Sequence, residues 1–335
     1  MTRLGKYELK FVLLLWTSLI IMMAIQCRHE GQVKVIKLAH GLDPSHSVHK
    51  AMEFMAEYVF EKSQGKLRID IYPSEQLGSE RECLELLQIG SLGMTKVSCS
   101  VLEGFVPSMS VLSLPFIFKD KSHKFKVLEG EIGRELLLDG EEFWLRGLCF
   151  FDAGSRSFYT KNKPILKPSD LEGLKIRTQE SPTSMKMVQA LGGSPTPISW
   201  GELYSALQQG VVDGAENNPP SFYLSRHYEV CKYYCLDEHT SVPDILLIST
   251  KTWKDLAPEF QEILQEAADQ ALQFQKILWK ESSDFALEQV RKAGIEILYP
   301  DKKIFAKKIE PLYDCLLYTS PSPRDRTRSR MPSSA

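Results

Sequence analysis

The sequence predicts an α/β fold with two domains. When both ends are set aside, about 300 of the 335 residues remain, a length typical of two domains of ordinary size. Leu67, Ile69 and Ile71 alternate with other residues and predict a half-buried strand, which follows a helix and an earlier strand. This order of strand, helix and strand is the repeating unit of α/β sheets.

The first elements of the chain are predicted from periodicity and capping residues. A strand rich in apolar residues is predicted at 33–39, and another strand is predicted at 95–98. Ser79 stands three residues before Glu82, and this capping box predicts a helix that begins at Glu80. Glu80 therefore lies in a first helical turn, where the helix dipole favours a carboxylate.

Two further strands are predicted to end in polar residues. One ends at Arg177, before a polar and turn-forming segment, and another ends at Glu216 and Asn217, before two prolines. Open α/β sheets bind ligands at the carboxyl ends of their strands. The sequence therefore predicts that a guanidinium and a carboxamide meet in one crevice.

Between these strand ends the sequence predicts a helix and a short strand. Ser199 and Glu202 form a second capping box, which predicts a helix that ends at Gly210. The apolar pair Val211 and Val212 then predicts a short buried strand.

The side chains of this region suit an organic anion. Arg177 can hold a carboxylate through two parallel hydrogen bonds, and Asn217 offers both a donor and an acceptor. Trp200 either stacks its ring on the face of a sugar ligand or serves only to pack against its own domain. Glu180 is a candidate partner for ligand hydroxyl groups.

The composition and motifs disfavour several other functions. The 41 basic and 43 acidic residues nearly balance, so nothing indicates a nucleic-acid partner. No nucleophile elbow, zinc-protease motif, phosphate loop or dinucleotide fingerprint is present. His40, His46 and His49 are better explained as hydrogen-bonding residues than as metal ligands. We therefore predict no metal, no cofactor and no catalytic residues.

A longer pattern identifies a family. The chain resembles the substrate-binding proteins of tripartite ATP-independent periplasmic (TRAP) transporters, from about Lys34 to about Tyr313. The matching segments are Leu174-Lys175-Ile176-Arg177, Leu191-Gly192-Gly193, Pro195, Pro197 and Ala206-Leu207-Gln208-Gln209-Gly210-Val211-Val212-Asp213-Gly214-Ala215-Glu216-Asn217.

The resemblance implies a two-lobed periplasmic solute-binding fold, in which each lobe is a mixed sheet flanked by helices. Lobe I would comprise residues 32–152 and about 243–278, and lobe II residues 153–242 and about 279–313. Hinge strands near Phe151 and Val242 would join the lobes. The stretch 258–293 lacks internal Gly and Pro and predicts one helix of about 50 Å that spans both lobes.

The resemblance also extends the list of candidate ligand-binding residues. Arg156 is expected to point into the same cleft as Arg177, although a surface ion pair is the alternative. Glu80 and Ser98 occupy family positions that face the cleft. His40 follows the first strand at its carboxyl end. Glu216 either orders its turn or, as in some relatives, lies near a bound cation.

These features predict an extracytoplasmic receptor that closes over a small carboxylate and delivers it to the membrane subunits of a TRAP transporter. A hexuronate or related sugar acid fits best, because carboxylates near the ligand repel a second anion but accept hydroxyl donors. The alternatives are a C4-dicarboxylate or keto-acid receptor of the same fold, a ligand sensor, and a periplasmic sugar-acid enzyme.

Both chain ends are interpreted separately from the fold. Residues 1–26 predict a signal peptide, because basic residues precede the apolar run 11–25. Cys27 follows it and marks either a lipid-anchored protein or a protein with an ordinary cleaved signal. Residues 315–335 turn abruptly to Ser, Pro and Arg, and we predict a non-native and disordered tail.

Overall fold

The computed structural model describes residues 33–319, and of residues 314–319 the backbone alone. Within this range the chain forms two mixed sheets with flanking helices, which confirms the predicted fold class. The predicted signal peptide, Cys27 and residues 320–335 of the predicted tail lie outside the described residues.

The described chain contains the following strands and helices. The strands are β1 (Lys34–Ala39), β2 (Leu67–Tyr72), β3 (Met94–Ser98), β4 (Leu145–Phe151), β5 (Arg156–Thr160), β6 (Lys175–Thr178), β7 (Ser194–Pro197), β8 (Gly214–Asn217), β9 (Tyr233–Thr240), β10 (Asp244–Ser249) and β11 (Glu296–Leu298). The α-helices are α1 (Ser47–Lys62), α2 (Glu80–Gln88), α3 (Cys99–Leu102), α4 (Lys121–Leu128), α5 (Glu131–Asp139), α6 (Pro182–Leu191), α7 (Leu203–Gln209), α8 (Pro219–Leu224), α9 (Thr250–Lys254), α10 (Pro258–Lys292) and α11 (Lys302–Thr319).

Lobe I is built on a five-stranded sheet with the order β2-β1-β3-β10-β4. β1 pairs in parallel with β2 and β3, whereas β10 is antiparallel to both β3 and β4. Apolar residues of α1 and α10 cover one face of the sheet, and a second apolar cluster with residues of α2 and α3 covers the other. β4 and β10 are buried almost throughout and carry long apolar runs, whereas β2 at the sheet edge alternates buried and more exposed residues.

Lobe II is built on a six-stranded sheet with the order β11-β9-β5-β8-β6-β7. β6 pairs in parallel with β7 and β8, and β5 is antiparallel to β8 and β9. Two apolar clusters pack on this sheet, one around Tyr159 and Phe222 and the other around Phe158 and Phe305. Each sheet therefore has a core of its own.

Between residues 33 and 319 the chain passes between the lobes at three places. Residues 152–155 join β4 of the first sheet to β5 of the second, and residues 241–243 join β9 to β10. The third passage is α10, whose 35 residues correspond to about 52 Å of helix. α10 packs on α1 and β4 in lobe I and on α8 in lobe II. The predicted long helix that spans both lobes is thus confirmed.

A side-chain clamp ties α10 to the first passage. The Gln275 amide accepts a hydrogen bond from the Asp152 backbone N–H at 3.0 Å and donates one to the Asp152 carbonyl at 2.8 Å. Gln275 is fully buried. Two residues on, Gly154 has φ +60°, and a Cβ there would lie 3.0 Å from the Trp279 ring. Both positive φ and close packing require glycine at this point.

Three local predictions differ from the structure. The second capping box does not form: Ser199 Oγ bonds to the Glu202 carboxylate at 2.7 Å, and α7 begins at Leu203, one turn later. Residues 211–212 are not a strand, because the short loop from Gly210 to β8 leaves Val211 48% exposed. The backbone of α11 continues to Thr319, so residues 315–319 of the predicted tail are helical. Between residues 33 and 319, no helix is both long and apolar enough to cross a membrane.

Candidate functional site

A cavity lies between the two sheets, at their facing edges. The parallel strands β3, β6 and β8 end there, and the antiparallel strands β5 and β10 begin there. Both topologies bring polar residues to the same place, because the start of an antiparallel strand lies beside the end of its neighbour. The cavity has a volume of about 50 Å³, which holds a few water-sized groups. A sugar-sized ligand therefore requires the lobes to separate on entry.

Arg177 occupies the lobe II side of this cavity. It is 2% exposed, and its Nε donates to the Ile198 carbonyl at 2.9 Å. Its Nη1 is buried and has no hydrogen-bond partner among the described residues. Burial lowers the pKa of Arg177, although guanidinium groups stay charged at any physiological pH. A buried cation with an unused donor in a cavity is suited to hold an anion.

Arg156 lines the cavity but already has protein partners. Its guanidinium forms a two-point ion pair with the Glu216 carboxylate and donates to Asn217 Oδ1 at 2.9 Å. Burial favours the neutral acid, but Arg156 and His239 lower the pKa of Glu216 to about 2. Arg156 thus lines the cavity as expected, and its ion pair is buried rather than the surface pair of the alternative. Glu216 lies behind Arg156 and is not among the residues that line the cavity.

Asn217 and Trp200 complete the lobe II side. Asn217 Oδ1 accepts from Arg156 and from the Asn218 backbone N–H at 2.9 Å, so its NH₂ group is the part left for a ligand. Trp200 is half-buried, and its ring lies 5.9 Å from the Arg177 guanidinium carbon and edge-on to His227 at 5.3 Å. The tryptophan thus both packs on its own lobe and presents a surface to the cavity.

The lobe I side carries a buried charge cluster. Lys96 Nζ lies 3.1 Å from Glu80 Oε1 and 3.3 Å from Asp244 Oδ2, and all three residues line the cavity. Glu80 Oε1 also accepts from the Ser98 backbone N–H at 3.2 Å. Burial lowers the pKa of Lys96, but Asp244 and Glu80 raise it. The net effect is a raised pKa, so the amine stays charged. Burial raises the pKa of Asp244, against the effect of Lys96.

Ser98 and Glu180 lie where the two lobes meet. Ser98 Oγ contacts Gln179 Oε1 at 3.3 Å, which joins the end of β3 to the residue after β6. Glu180 is half-buried and lines the cavity beside Gln179. Both predicted residues therefore reach the cavity, and Ser98 also connects the lobes in the closed arrangement.

His40 was expected to face the cavity, but it does not line it. His46 lines the cavity instead. His40 is buried, with its Nε2 2.9 Å from His49 Nδ1, and burial lowers its pKa to about 2. His46 caps α1, and its Nδ1 accepts the Val48 N–H at 3.2 Å. Because Nδ1 is the acceptor, the neutral ring carries its hydrogen on Nε2, which has no partner among the described residues.

The structure thus brings together seven of the nine predicted residues and adds others. Arg177, Arg156, Asn217, Trp200, Glu80, Ser98 and Glu180 line the cavity, whereas His40 and Glu216 do not. Sequence reasoning did not assign His46, Lys96, Gln179 or Asp244 to the site. A search of strand starts in antiparallel neighbours would have found Asp244, because it begins β10. Among the described residues, no group of three or more His, Cys, Asp or Glu could hold a metal ion.

Comparison with known proteins identifies the family. The family model of the bacterial extracellular solute-binding proteins, family 7, matches residues 38–319. The chain belongs to this family. The match spans both sheets and confirms the resemblance to TRAP substrate-binding proteins that the sequence predicted.

Solved structures of family 7 proteins share the fold. A TRAP periplasmic solute-binding protein from Xanthobacter autotrophicus Py2, with bound β-D-galacturonate, is 37% identical, with a TM-score of 0.83 and coverage of 86% of this chain and 96% of that chain. One from Anaerococcus prevotii DSM 20548, with bound D-glucuronate, is 37% identical, with a TM-score of 0.84 and coverage of 86% and 94%.

Another relative is named for a different class of ligand. The C4-dicarboxylate-binding periplasmic protein DctP of Rhodobacter capsulatus is 30% identical over 285 residues, which cover 84% of this chain and 85% of that protein. These relatives are periplasmic binding proteins. This family 7 protein is accordingly a periplasmic solute receptor.

Proposed function

We propose that this protein is the receptor of a TRAP transporter for a hexuronate or a related sugar acid. The observation that carries the proposal is the buried guanidinium of Arg177. Arg177 lines the cavity, and its Nη1 has no hydrogen-bond partner among the described residues. A ligand carboxylate would complete its hydrogen bonds and neutralise its charge.

The other lining residues support a ligand with hydroxyl groups. Asn217 offers its NH₂ group beside the anchor, and Trp200 offers a ring surface of the kind that stacks on sugars. Across the cavity, Glu80 and Asp244 are hydrogen-bond acceptors with negative charge. A sugar acid matches both sides, because it has one carboxylate and several hydroxyl donors.

The comparisons support the same ligand class. The solved structures from Xanthobacter autotrophicus and Anaerococcus prevotii hold galacturonate and glucuronate, and both are 37% identical to this chain. The R. capsulatus relative favours a C4-dicarboxylate as the second candidate. A second ligand carboxylate would face Glu80 and Asp244, and this repulsion favours the sugar acid.

Delivery to membrane subunits is the role that this fold suggests for the captured ligand. A sensor would share the same cavity, and genes for two membrane subunits beside this one would favour the transporter. We also propose that the protein releases its ligand unchanged. Nuclear magnetic resonance of a hexuronate incubated with the protein tests this, since any new carbohydrate resonance would indicate an enzyme.

Attachment to the membrane is proposed to depend on Cys27. If the cysteine is acylated, the protein fractionates with membranes and Cys27→Ser releases it into the periplasmic fraction. Release of the unmodified protein by osmotic shock would instead indicate an ordinary cleaved signal.

The ligand class is tested by a thermal-shift panel followed by calorimetric titration. The panel contains D-galacturonate, D-glucuronate, D-gluconate, L-malate and succinate. We expect the largest stabilisation from a sugar acid, because at equal concentration the ligand that binds most tightly stabilises the folded state most. A larger shift with succinate or malate, and none with the sugar acids, would replace the proposal with the dicarboxylate receptor.

A further inference from the structure

The two sides of the cavity carry opposite recognition chemistry. The lobe II side contains Arg177 and Arg156, of which Arg177 has an unused donor. The lobe I side contains the charge cluster of Glu80, Lys96 and Asp244. With one cation between two carboxylates, this cluster has a net charge of −1 when all three groups are ionised. An anion therefore belongs against lobe II.

Lys96 fixes the positions of both lobe I carboxylates. It extends from the middle of β3, is 2% exposed, and reaches Glu80 at the start of α2 and Asp244 at the start of β10. Asp244 is directly opposite Ser98 in the antiparallel register of β10 and β3. The cluster thus connects three separate elements at the edge of the first sheet and is held rigidly.

Each carboxylate uses only one oxygen in this cluster. Lys96 contacts Glu80 Oε1 and Asp244 Oδ2, whereas Glu80 Oε2 and Asp244 Oδ1 make no hydrogen bond within the described part of the chain. A carboxylate oxygen is only an acceptor. The groups that can complete these bonds are therefore donors, and on an acidic sugar the donors are hydroxyl groups.

We propose that Glu80 and Asp244, positioned by Lys96, form a hydroxyl-binding surface and that Asp244 determines specificity for monocarboxylic sugar acids over diacids. This inference rests on the proposed function. The carboxylate of the ligand binds lobe II and its hydroxyls bind lobe I, so both sets of bonds form only when the lobes are closed. Ligand hydroxyls consequently hold the closed state together.

The decisive variant is Asp244→Asn. Its amide oxygen still accepts from Lys96, but the free acceptor oxygen becomes an NH₂ donor and one negative charge is lost. We expect D-galacturonate to bind about 10- to 150-fold more weakly, as for loss of a hydrogen bond to a charged group. The preference for galacturonate over galactarate, the six-carbon diacid, should narrow as well. Asp284→Asn, at an exposed position of α10, is the matched control and should bind like wild type.

A second measurement uses the wild-type protein and does not depend on the folding of a variant. Cyclohexanecarboxylate has a six-membered ring and one carboxylate but no hydroxyl. We expect it to bind at least about 100-fold more weakly than galacturonate. Near saturation it should leave the radius of gyration of the free protein unchanged, whereas galacturonate should reduce it.

The outcomes separate this inference from the proposed function. If wild-type protein binds no sugar acid, the proposed function fails and the inference with it. If it binds galacturonate and Asp244→Asn keeps both the affinity and the preference over galactarate, the inference alone is wrong. Equal compaction by cyclohexanecarboxylate and galacturonate would overturn the claim about closure.

Discussion

Replacement of Arg177 should separate ligand binding from protein stability. In Arg177→Met, a ligand carboxylate would lie in the closed cavity without its partner, which typically costs about 2–5 kcal/mol. This corresponds to about 30-fold to several-thousand-fold weaker binding. Arg177→Lys keeps the charge but loses the two-pronged geometry and the bond to Ile198, so it should recover only part of the affinity.

The ligand-free stability of Arg177→Met should be equal to or greater than that of wild type. Arg177 is 2% exposed, and among the described residues no carboxylate lies within salt-bridge distance of its guanidinium. Its burial therefore costs desolvation energy that no ion pair offsets, and an apolar side chain of similar length removes that cost. Active sites often contain such destabilising groups.

Calorimetric titration with D-galacturonate and urea unfolding without ligand measure these two effects. Arg134→Met, at an exposed position on α5, is the control for loss of a positive charge. A folded Arg177→Met protein that binds galacturonate within threefold of wild type would refute the carboxylate anchor. A large loss of stability in the ligand-free Arg177→Met protein would refute the prediction that burial of Arg177 costs free energy.

The remaining predictions concern stability and closure. Arg156→Met should destabilise the ligand-free protein by about 3–5 kcal/mol, because the buried Glu216 carboxylate loses its two-point partner and keeps only His239, at 3.6 Å, as a nearby cation. Glu216→Gln in the same chain should restore part of the loss in urea unfolding. Burial lowers the pKa of His239, but Asp237 and Glu216 raise it, and the net result is a pKa of about 9 against 6.5 for an ordinary histidine. Between pH 6.5 and 9 the folded protein therefore keeps a proton on His239 that the unfolded chain has lost. Stability should fall in that window as pH rises, by up to about 1.4 kcal/mol per unit, and His239→Gln should flatten this part of the curve. Ligand should also compact the protein in X-ray scattering, and identical profiles with and without saturating galacturonate would contradict lobe closure.

The fold and most of the site were predictable because local sequence sets them. Alternating and continuous apolar runs located most strands, and the first capping box forms as expected, with Ser79 and Glu82 bonded to each other's backbone N–H groups. Arg177 and Asn217 were found because parallel strands deliver their last residues to one edge of a sheet. These arguments need only short segments of the chain.

The missed residues depend on tertiary structure. Lys96 lies in the middle of a buried strand, and only the packed sheet shows that its amine contacts both Glu80 and Asp244. His40 and His46 are too close in sequence for a pattern to decide which one faces the cavity. The capping box predicted at Ser199 fails for a local reason, because the Ser199 hydroxyl bonds the Glu202 side chain instead of capping a helix.

The shared helix gives the molecule an elastic element. α10 is anchored in lobe I by the Gln275 clamp on Asp152, and its far end packs into the lobe II core through Val290. No Gly or Pro interrupts residues 259–292, so the helix has no preformed kink at which to fold. Separation of the lobes must then bend the helix or slide its packing at one end. This deformation contributes to the free-energy difference between the open and the closed lobes, which ligand binding must then shift toward the closed state.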